Sequence, residues 1–342
     1  MKPGSRTGRR GLTAMVFFTA AAAASWLTAA GQTTTRLRLV STVWPPFTNN
    51  SGQPRFALDL VEEGTRRIGL QTTTTFVEAA KFTPALLTGP FDGSVAAWKD
   101  AERERVVLYS QPYLENRLIL VARRGGDVSA KALAELKGKR IAIVEGYSYG
   151  DNIDTAGPTV VRSRSEEHSL ELLLTNAVDY TLMDELVVEY IVDHHAEEAR
   201  TRLQFGARAL VTRQLFFAVR RTLPDAQSII DRFNGQLRAM ITDHTYHKLL
   251  HVAWISVDVD GDGQIEYVPD SDKAGPKPPE RAYLLFSSQQ PPTESSSAPK
   301  RFMMGGNIYT NWANVPEQFK GYDSNRPDPA RSTASIFTFT WR

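Results

Sequence analysis

Short apolar runs alternate with amphipathic segments through the middle of the chain. Apolar residues at helical spacing within 56–70 predict one helix, and a second, long amphipathic helix begins at Pro224. Strands that alternate with helices in this way predict an α/β fold. The apolar or alternating runs that predict strands include 37–43, 118–123, 140–144 and 215–219.

The stretch around residue 100 joins a buried strand to a charged segment. Residues 94–98 are small and apolar, and almost every residue of 99–105 is charged. Ligands of open α/β sheets bind beyond the carboxyl ends of the strands, and an arginine there, such as Arg103, can fork onto an anion. A solvated charged loop explains the same spacing equally well.

Three further positions follow predicted strands. Two prolines end the first strand and leave Trp44 on the loop beyond it, facing a ligand or packing in the core. The glycines and serine within 146–150 form a turn that offers backbone N–H groups to an anion, unless it is a plain capped turn. Asp184 ends the strand predicted at 178–183, where it faces a cleft or caps the next helix.

The composition is that of a globular protein with a basic start. Of the 342 residues, 42% are hydrophobic and 23% are charged, which allows a large core. Removing the basic residues of 1–30 changes the formal charge from +2 to −2, so bulk charge argues against nucleic-acid binding. The lack of cysteine excludes disulfides, thiolate chemistry, cysteine-bound metals and a lipoprotein anchor.

The first 30 residues have the pattern of a secretory signal peptide. A basic start at 1–10 precedes the apolar, alanine-rich run 11–30, which ends in small residues at Ala29 and Ala30. An uncleaved membrane anchor is the alternative, because the run approaches spanning length. Both interpretations predict export to a periplasm, and cleavage would leave no membrane span.

An acidic loop follows the α/β region. Residues 257–268 place three aspartates at alternate positions before Gly263. Close carboxylates repel unless a cation lies among them, and oxygen ligands suit a hard ion. The twelfth position is Pro269 where an EF-hand has glutamate, and a solvated acidic turn is the alternative. We predict a structural Ca²⁺ site with the ligands Asp258, Asp260, Asp262, Gln264 through its backbone carbonyl, and Glu266.

Beyond this loop the sequence predicts little regular structure. Residues 269–300 are rich in Pro, Ser and Lys, which indicates a linker, apart from the apolar run 282–286. Residues 302–342 are aromatic and rich in Gly and Asn, and 335–341 alternates like a strand. No function follows from this tail.

The residues around Arg103 resemble a family signature. Asp92, the apolar run 94–98, Glu102 with Arg103, and the segment 109–113 (YSQPY) follow one another as in periplasmic amino-acid-binding proteins. These are the type II solute receptors of ATP-driven importers. The resemblance covers roughly residues 37–250 and implies a two-lobed type II periplasmic-binding-protein fold with two crossover hinge segments and a C-terminal extension.

The resemblance implies a division of the chain. The signal peptide spans 1–30, lobe 1 comprises 36–123 and 214–255, lobe 2 comprises 124–213, and the C-terminal extension with the acidic loop spans 256–342. The two crossings between the lobes would form the hinge.

The resemblance also implies how a ligand is held. The family's arginine, at Arg103, grips the ligand carboxylate together with the turn at 146–148, and the acid at Asp184 pairs with the ligand ammonium. The aromatic at Trp44 lies against the ligand side chain, and further aromatic residues could stack on it. The implied ligand-binding residues are Trp44, Trp98, Arg103, Gly146, Tyr147, Ser148 and Asp184.

One position departs from the family pattern. Serine or threonine donors usually precede the arginine, but here the segment is 96–100 and Asp100 stands where a hydroxyl donor is expected. A carboxylate at this position weakens the binding of a ligand carboxylate, so the class of ligand stays open.

These expectations combine into a periplasmic binding protein. The resemblance implies capture of an amino acid or related zwitterion for an ABC importer by hinge closure. A sensor or scaffold that feeds a partner protein is one alternative. A dehydratase-like enzyme is another, with Asp184 or Glu145 as acid–base candidates, although the spacing shows no nucleophile–base pair.

Overall fold

The computed structural model describes residues 36–150, 152–279, 282–285 and 300–321, together with Met1 and Gly4. Apart from Met1 and Gly4, the predicted signal peptide lies outside the described residues, as does the strand predicted at 335–341. Within the described part of the chain, no helix has the length and apolar character needed to cross a membrane.

The described residues before 254 form alternating strands and helices, so the α/β class is confirmed. The strands are β1 (Arg36–Ser41), β2 (Gln71–Phe76), β3 (Gly93–Trp98), β4 (Val107–Tyr109), β5 (Leu114–Arg123), β6 (Arg140–Val144), β7 (Thr159–Ser163), β8 (Tyr180–Asp184) and β9 (Leu203–Arg220). The helices are α1 (Phe56–Arg67), α2 (Ala79–Thr88), α3 (Ala101–Glu104), α4 (Glu166–Leu174), α5 (Glu185–His194), α6 (Ala196–Arg202), α7 (Ala226–Thr242) and α8 (Thr245–Leu250).

These strands join into one sheet with the order β2-β1-β3-β9-β5-β8-β6-β7, and β4 also pairs with β9. Strand β1 is parallel to β2 and β3, and β6 is parallel to β7 and β8. The long strands β5 and β9 are antiparallel and connect the two parallel groups. We call β1–β4 with α1–α3, α7 and α8 lobe 1, and β6–β8 with α4–α6 lobe 2.

The core of lobe 1 follows from the predicted apolar helix faces. Helix α1 buries the face that begins at Phe56, and α7 buries Phe233 completely. Gly64 makes the close contact of these helices possible, because a Cβ added there would lie 2.6 Å from the Phe233 ring. A separate cluster packs lobe 2 against β5 and includes Val121, Leu173 and Met183.

Helix starts and ends decide which side chains reach the cleft described below. Helix α4 begins after Ser165, whose hydroxyl accepts from the His168 N–H at 3.2 Å, so the predicted N-cap is confirmed. Asp184 caps α5 in the same way and accepts from the Leu186 N–H at 2.8 Å.

Three helix predictions were wrong or too long. The helix predicted at 130–137 is only a 3-10 turn at Leu133–Leu136, because so short a segment gains few hydrogen bonds for its nucleation cost. The turn at 145–151 leads to a 3-10 turn at Ile153–Thr155 and not to an α-helix. The helix predicted at 245–254 ends at Leu250, because His251 takes a left-handed conformation with a φ of 56°.

Part of the tail is folded. Its strands are β10 (Trp254–Val257), β11 (Glu266–Pro269), β12 (Tyr283–Leu284), β13 (Arg301–Met304) and β14 (Asn307–Tyr309). They form a second sheet with the order β12-β10-β11-β13-β14. The acidic loop connects the antiparallel strands β10 and β11. Phe302, Met304 and Val315 form a buried cluster with Trp254, Trp312 and Phe319 packed against them.

Candidate functional site

A cleft of about 1130 Å³ lies between the two lobes. Lobe 1 contributes the loop after β1 and the segment from the end of β2 into α2, and lobe 2 contributes the turn after β6 and faces of α4 and α5. Several of these segments follow the carboxyl ends of parallel strands, where open α/β sheets bind their ligands.

A second cavity, of only about 30 Å³, lies beside the cleft and shares three lining residues with it. On the scale of a water molecule in the liquid, this space holds roughly one or two waters. The small cavity brings together six of the seven residues that the family resemblance implied: Trp44, Trp98, Arg103, Gly146, Tyr147 and Ser148.

Aromatic side chains fill the space around this cavity. The ring centroids of Trp44 and Trp98 are 5.5 Å apart, and each lies 5.6 Å from the ring of Tyr147. Tyr149 packs against Trp98 at 5.4 Å. The edge-to-face contacts are the favoured geometry of aromatic pairs. The rings that were expected to stack on a ligand therefore pack edge-to-face against one another.

The Arg103 guanidinium is buried and already has partners. Its Nη1 donates to the Trp98 carbonyl at 3.0 Å, and its Nη2 donates to Thr83 Oγ1 at 2.6 Å and to the Gly146 carbonyl at 2.8 Å. Its Nε lies 3.1 Å from Asp100 Oδ2 in an ion pair. Burial lowers the pKa of Arg103, and the Asp100 carboxylate opposes that shift.

Asp100 takes the place that was expected for a ligand carboxylate. Its Oδ1 accepts from the Arg103 N–H at 2.8 Å, and its Oδ2 accepts from Ser148 Oγ at 2.8 Å. The same Oδ2 pairs with the guanidinium. The two donors predicted to share the ligand carboxylate, Arg103 and the 146–148 turn, thus share a carboxylate of the chain itself.

Gly146 contributes its carbonyl to this network, which differs from the predicted array of free N–H groups. Its φ of 83° lies in the left-handed region. A Cβ at this position would lie 2.3 Å from the Ala79 carbonyl oxygen across the cleft, so only glycine allows the lobes to approach this closely.

Asp184 lines neither cavity. Its carboxylate is 1% exposed and accepts from Leu186 N, Arg117 N and Asn116 Nδ2 at 2.8, 2.8 and 3.1 Å. Burial, the largest cause, raises its pKa to about 8. The geometry is that of the helix-cap alternative. Asn116 also accepts from Trp98 Nε1 at 2.7 Å, so Trp98 lies between Arg103 and Asp184.

A residue that the sequence analysis passed over, Glu166, lies in the large cleft. Its Oε2 is shielded from solvent, and no residue in the described ranges donates a hydrogen bond to it. Burial, the largest cause, raises its pKa to about 8, and the charges of Glu167 and Asp184 add to the shift. An acid after an N-cap serine is typical of any helix start, so its position in the sequence gave no signal.

The acidic loop has an internal cation beside it. Asp258, Asp260 and Asp262 each offer a carboxylate oxygen, all within 4.8 Å of one another, which suits a hard cation. Arg301 lies 2.6 Å from Asp262 Oδ2 and 3.5 Å from Asp260 Oδ2. Its Nε lies 3.0 Å from Oε1 of the fully buried Glu266.

The predicted Ca²⁺ ligands therefore divide into two groups. The three aspartates converge, whereas Glu266 holds Arg301 and accepts from the Val259 N–H at 3.0 Å. The exposed side chain of Gln264 lies 3.5 Å from Asp262 Oδ2, and the predicted ligation by its backbone carbonyl stays a prediction. Calcium binding stays a prediction, and the aspartates are the residues that would hold the ion.

We predict that Arg103→Ala lowers the free energy of unfolding by about 3–5 kcal/mol, because it leaves Asp100 and two buried carbonyls without a cation. Urea unfolding measures the change. Arg105→Ala, an exposed arginine in the same segment, is the control and should change stability by less than about 0.5 kcal/mol. Equal effects of the two substitutions would contradict a stabilising role of the buried Arg103–Asp100 ion pair.

A second prediction concerns pH. The pKa of Glu166 is raised on folding from 4.5 to about 8, so the folded protein binds more protons and loses stability as pH rises through that window. Glu166→Gln should remove up to about 1.4 kcal/mol of this loss per pH unit. Urea unfolding from acid to mildly basic pH tests this, with Glu171→Gln, an exposed glutamate on the same helix, as control. An unchanged slope in Glu166→Gln would refute it.

A third prediction concerns calcium. Ca²⁺ should raise the melting temperature of the intact chain, because an ion among three carboxylates binds the folded loop and not the unfolded chain. Asp260→Asn should reduce the rise, whereas Asp231→Asn, an exposed acid on α7, should leave it unchanged. A rise of the same size in Asp260→Asn would place the ion elsewhere.

Comparison with known proteins fits this geometry. The sequence profile of the bacterial extracellular solute-binding proteins, family 3, matches residues 39–256, which is more than half of the chain. No curated protein gave a sequence match.

Solved structures with the same fold include an ancestral arginine-binding protein bound to arginine, with 24% identity and a TM-score of 0.54 over 63% of this chain and 96% of that one. The ligand-binding core of GluR0 from Nostoc punctiforme, in complex with L-glutamate, has 20% identity and a TM-score of 0.53 over 62% and 96%.

An ancestral amino-acid-binding protein that is a precursor of cyclohexadienyl dehydratase has 20% identity and a TM-score of 0.52 over 63% and 94%. The expected two-lobed type II fold is confirmed, and this chain belongs to the bacterial extracellular solute-binding proteins, family 3.

Proposed function

We propose that this protein captures a small charged metabolite in the cleft between its lobes, in the periplasm, and delivers it to an ABC importer. The observation that carries the proposal is the cleft of about 1130 Å³ between two lobes that are joined by the strands β5 and β9. Its volume is slightly above the range of small-molecule pockets, roughly 300–1,000 Å³.

Hinge closure is the mechanism that this architecture supports. The pairing of β5 with β9 shifts register between Leu118 and Val121, so the connection is irregular where it passes between the lobes. Hinge movements use such positions, because a few residues there absorb the change in backbone angles. Rotation about them would open the cleft.

The contacts between the lobes define the closed state. Arg103 donates to the Gly146 carbonyl, Ser148 donates to Asp100, and the hydroxyls of Thr42 and Tyr147 lie 3.2 Å apart. These contacts involve groups of the chain alone. Closure in this protein therefore gains interactions independent of the ligand, and a ligand adds to them.

A dehydratase-like enzyme is a second candidate, and Glu166 is the observation that favours it. A half-buried carboxyl group with a shielded oxygen and a pKa of about 8 in a cleft is the type of group that general acid–base catalysis uses. A structurally similar protein is a precursor of cyclohexadienyl dehydratase. Turnover of a small carboxylate would favour this candidate over capture without reaction.

Solute capture is tested by titrating the protein with a panel of small metabolites while tryptophan fluorescence and melting temperature are followed. A bound solute should raise the melting temperature and change the emission, because Trp44 lines both cavities. Trp44→Ala should weaken binding by about tenfold, since a buried aromatic contact contributes about 1.5 kcal/mol.

Arg66→Ala, on the exposed face of α1, is the control and should bind as the unmodified protein does. Equal affinities of the Trp44→Ala and unmodified proteins would place the ligand outside this cleft. A panel with no binding compound would overturn solute capture.

A further inference from the structure

The family's ligand-carboxylate position is closed to a ligand in this chain. Arg103 is 3% exposed, and its guanidinium pairs with Asp100 and donates to two carbonyls and a hydroxyl. The adjoining cavity, of about 30 Å³, is too small for an amino acid. A ligand carboxylate would have to displace Asp100 from both Arg103 and Ser148, which exchanges one carboxylate for another at the cost of leaving the first unpaired.

The large cleft is lined by acidic side chains, several of which form no ion pair with a described residue, whereas the charges of Arg103 and Asp100 are balanced. Five glutamates line it, together with two arginines and one histidine. Glu171 lies 3.9 Å from Arg164, and Glu78 lies 2.9 Å from Lys81, so two of the five have a nearby cation. The other three, Glu145, Glu166 and Glu167, form no ion pair with any residue in the described ranges.

Glu166 is the carboxylate among these three that has an oxygen without contact to solvent or to a hydrogen-bond donor of the described residues. Its Oε2 is out of reach of water and receives no hydrogen bond from a described residue. Ionising it there is costly, which is why burial raises its pKa to about 8. A cation in the cleft would supply the missing partner and lower that pKa again.

The remaining lining is apolar and aromatic. Trp44, Phe76, Leu170, Tyr190 and Ile191 line the cleft. Val43, at the same place, is the one large apolar side chain besides Met1 that is exposed among the described residues. A cleft with aromatic faces, apolar contacts and an unpaired carboxylate is the chemical complement of an organic cation with an apolar body.

We propose that the solute is an organic amine, recognised through its ammonium group by Glu166 in the large cleft, and that a ligand carboxylate is not required. This inference rests on the proposed solute capture and names its ligand class. It departs from recognition of a zwitterion by Arg103 and Asp184, because both of those groups are occupied within the chain.

The test uses sets of compounds that share one side chain and differ only in the head group. One set is 2-phenylethylamine, phenylalanine and 3-phenylpropanoate, and a second is agmatine and arginine. Isothermal titration of the intact protein should show that each amine binds about tenfold tighter than its amino acid, or better, because the carboxylate meets an acidic lining. The propanoate should bind weakest.

Variants then locate the site. Glu166→Gln keeps the shape of the side chain and should weaken amine binding by about tenfold or more, because the charge-assisted contact is lost. Glu171→Gln is the matched control, an exposed glutamate on the same helix and in the same cleft, and should change binding by less than about threefold. The melting temperature of each variant shows that it is folded.

The outcomes separate this inference from the proposed function. Amino acids that bind tighter than their amines would overturn the ligand class while solute capture stands. Amine binding that is equal in Glu166→Gln and the unmodified protein would overturn the site. If none of these compounds bound but another metabolite of the wider panel did, only the organic-amine inference would be overturned. If no compound of the whole panel bound, both that inference and solute capture would be overturned.

Discussion

The ion pair of Arg103 with Asp100 is the interaction on which the site depends. A guanidinium that is 3% exposed has lost most of its hydration, so groups of the protein must balance its charge and accept its hydrogen bonds. Asp100 balances its charge, while the Thr83 hydroxyl and carbonyls from lobe 1 and lobe 2 accept from its Nη1 and Nη2 atoms. Because the hydrogen-bond partners come from both lobes, the burial of this one charge depends on closure of the two lobes over the cleft.

The Arg103–Asp100 ion pair changes which ligands this two-lobed fold can bind. A site whose charges are already balanced gains little from a ligand that brings the same charges, so affinity has to come from groups that are still unpaired. Aromatic packing of Trp44, Trp98 and Tyr147 completes the closure of the small cavity. The unpaired groups lie next to it, in the large cleft, where Glu166 has neither solvent nor a donor at Oε2.

The C-terminal sheet repeats the same arrangement with different residues. There Arg301 lies among Asp260, Asp262 and the buried Glu266, at the loop where the sequence predicted a calcium ion. In both places a charged group of the chain lies where an outside group was expected: the Asp100 carboxylate where a ligand carboxylate was expected, and the Arg301 guanidinium where a cation was expected. In the loop it neutralises part of the carboxylate charge, so a divalent ion would meet a site that is less negative than the sequence indicates.

The sequence by itself determined the α/β class, the apolar helix faces, the cap at Ser165 and the gathering of five aromatic and turn residues around Arg103. These features follow from periodicity, from turn residues and from the order of motifs, all of which are local or carried by the resemblance. Only the tertiary structure decided which charges meet. Asp100 faces Arg103 and Ser148, Asp184 caps helix α5, and Glu166 stays unpaired, because packing brings together hydrogen-bond partners that are distant in sequence. The fold of the tail also depended on contacts between strands that spacing along the chain does not reveal.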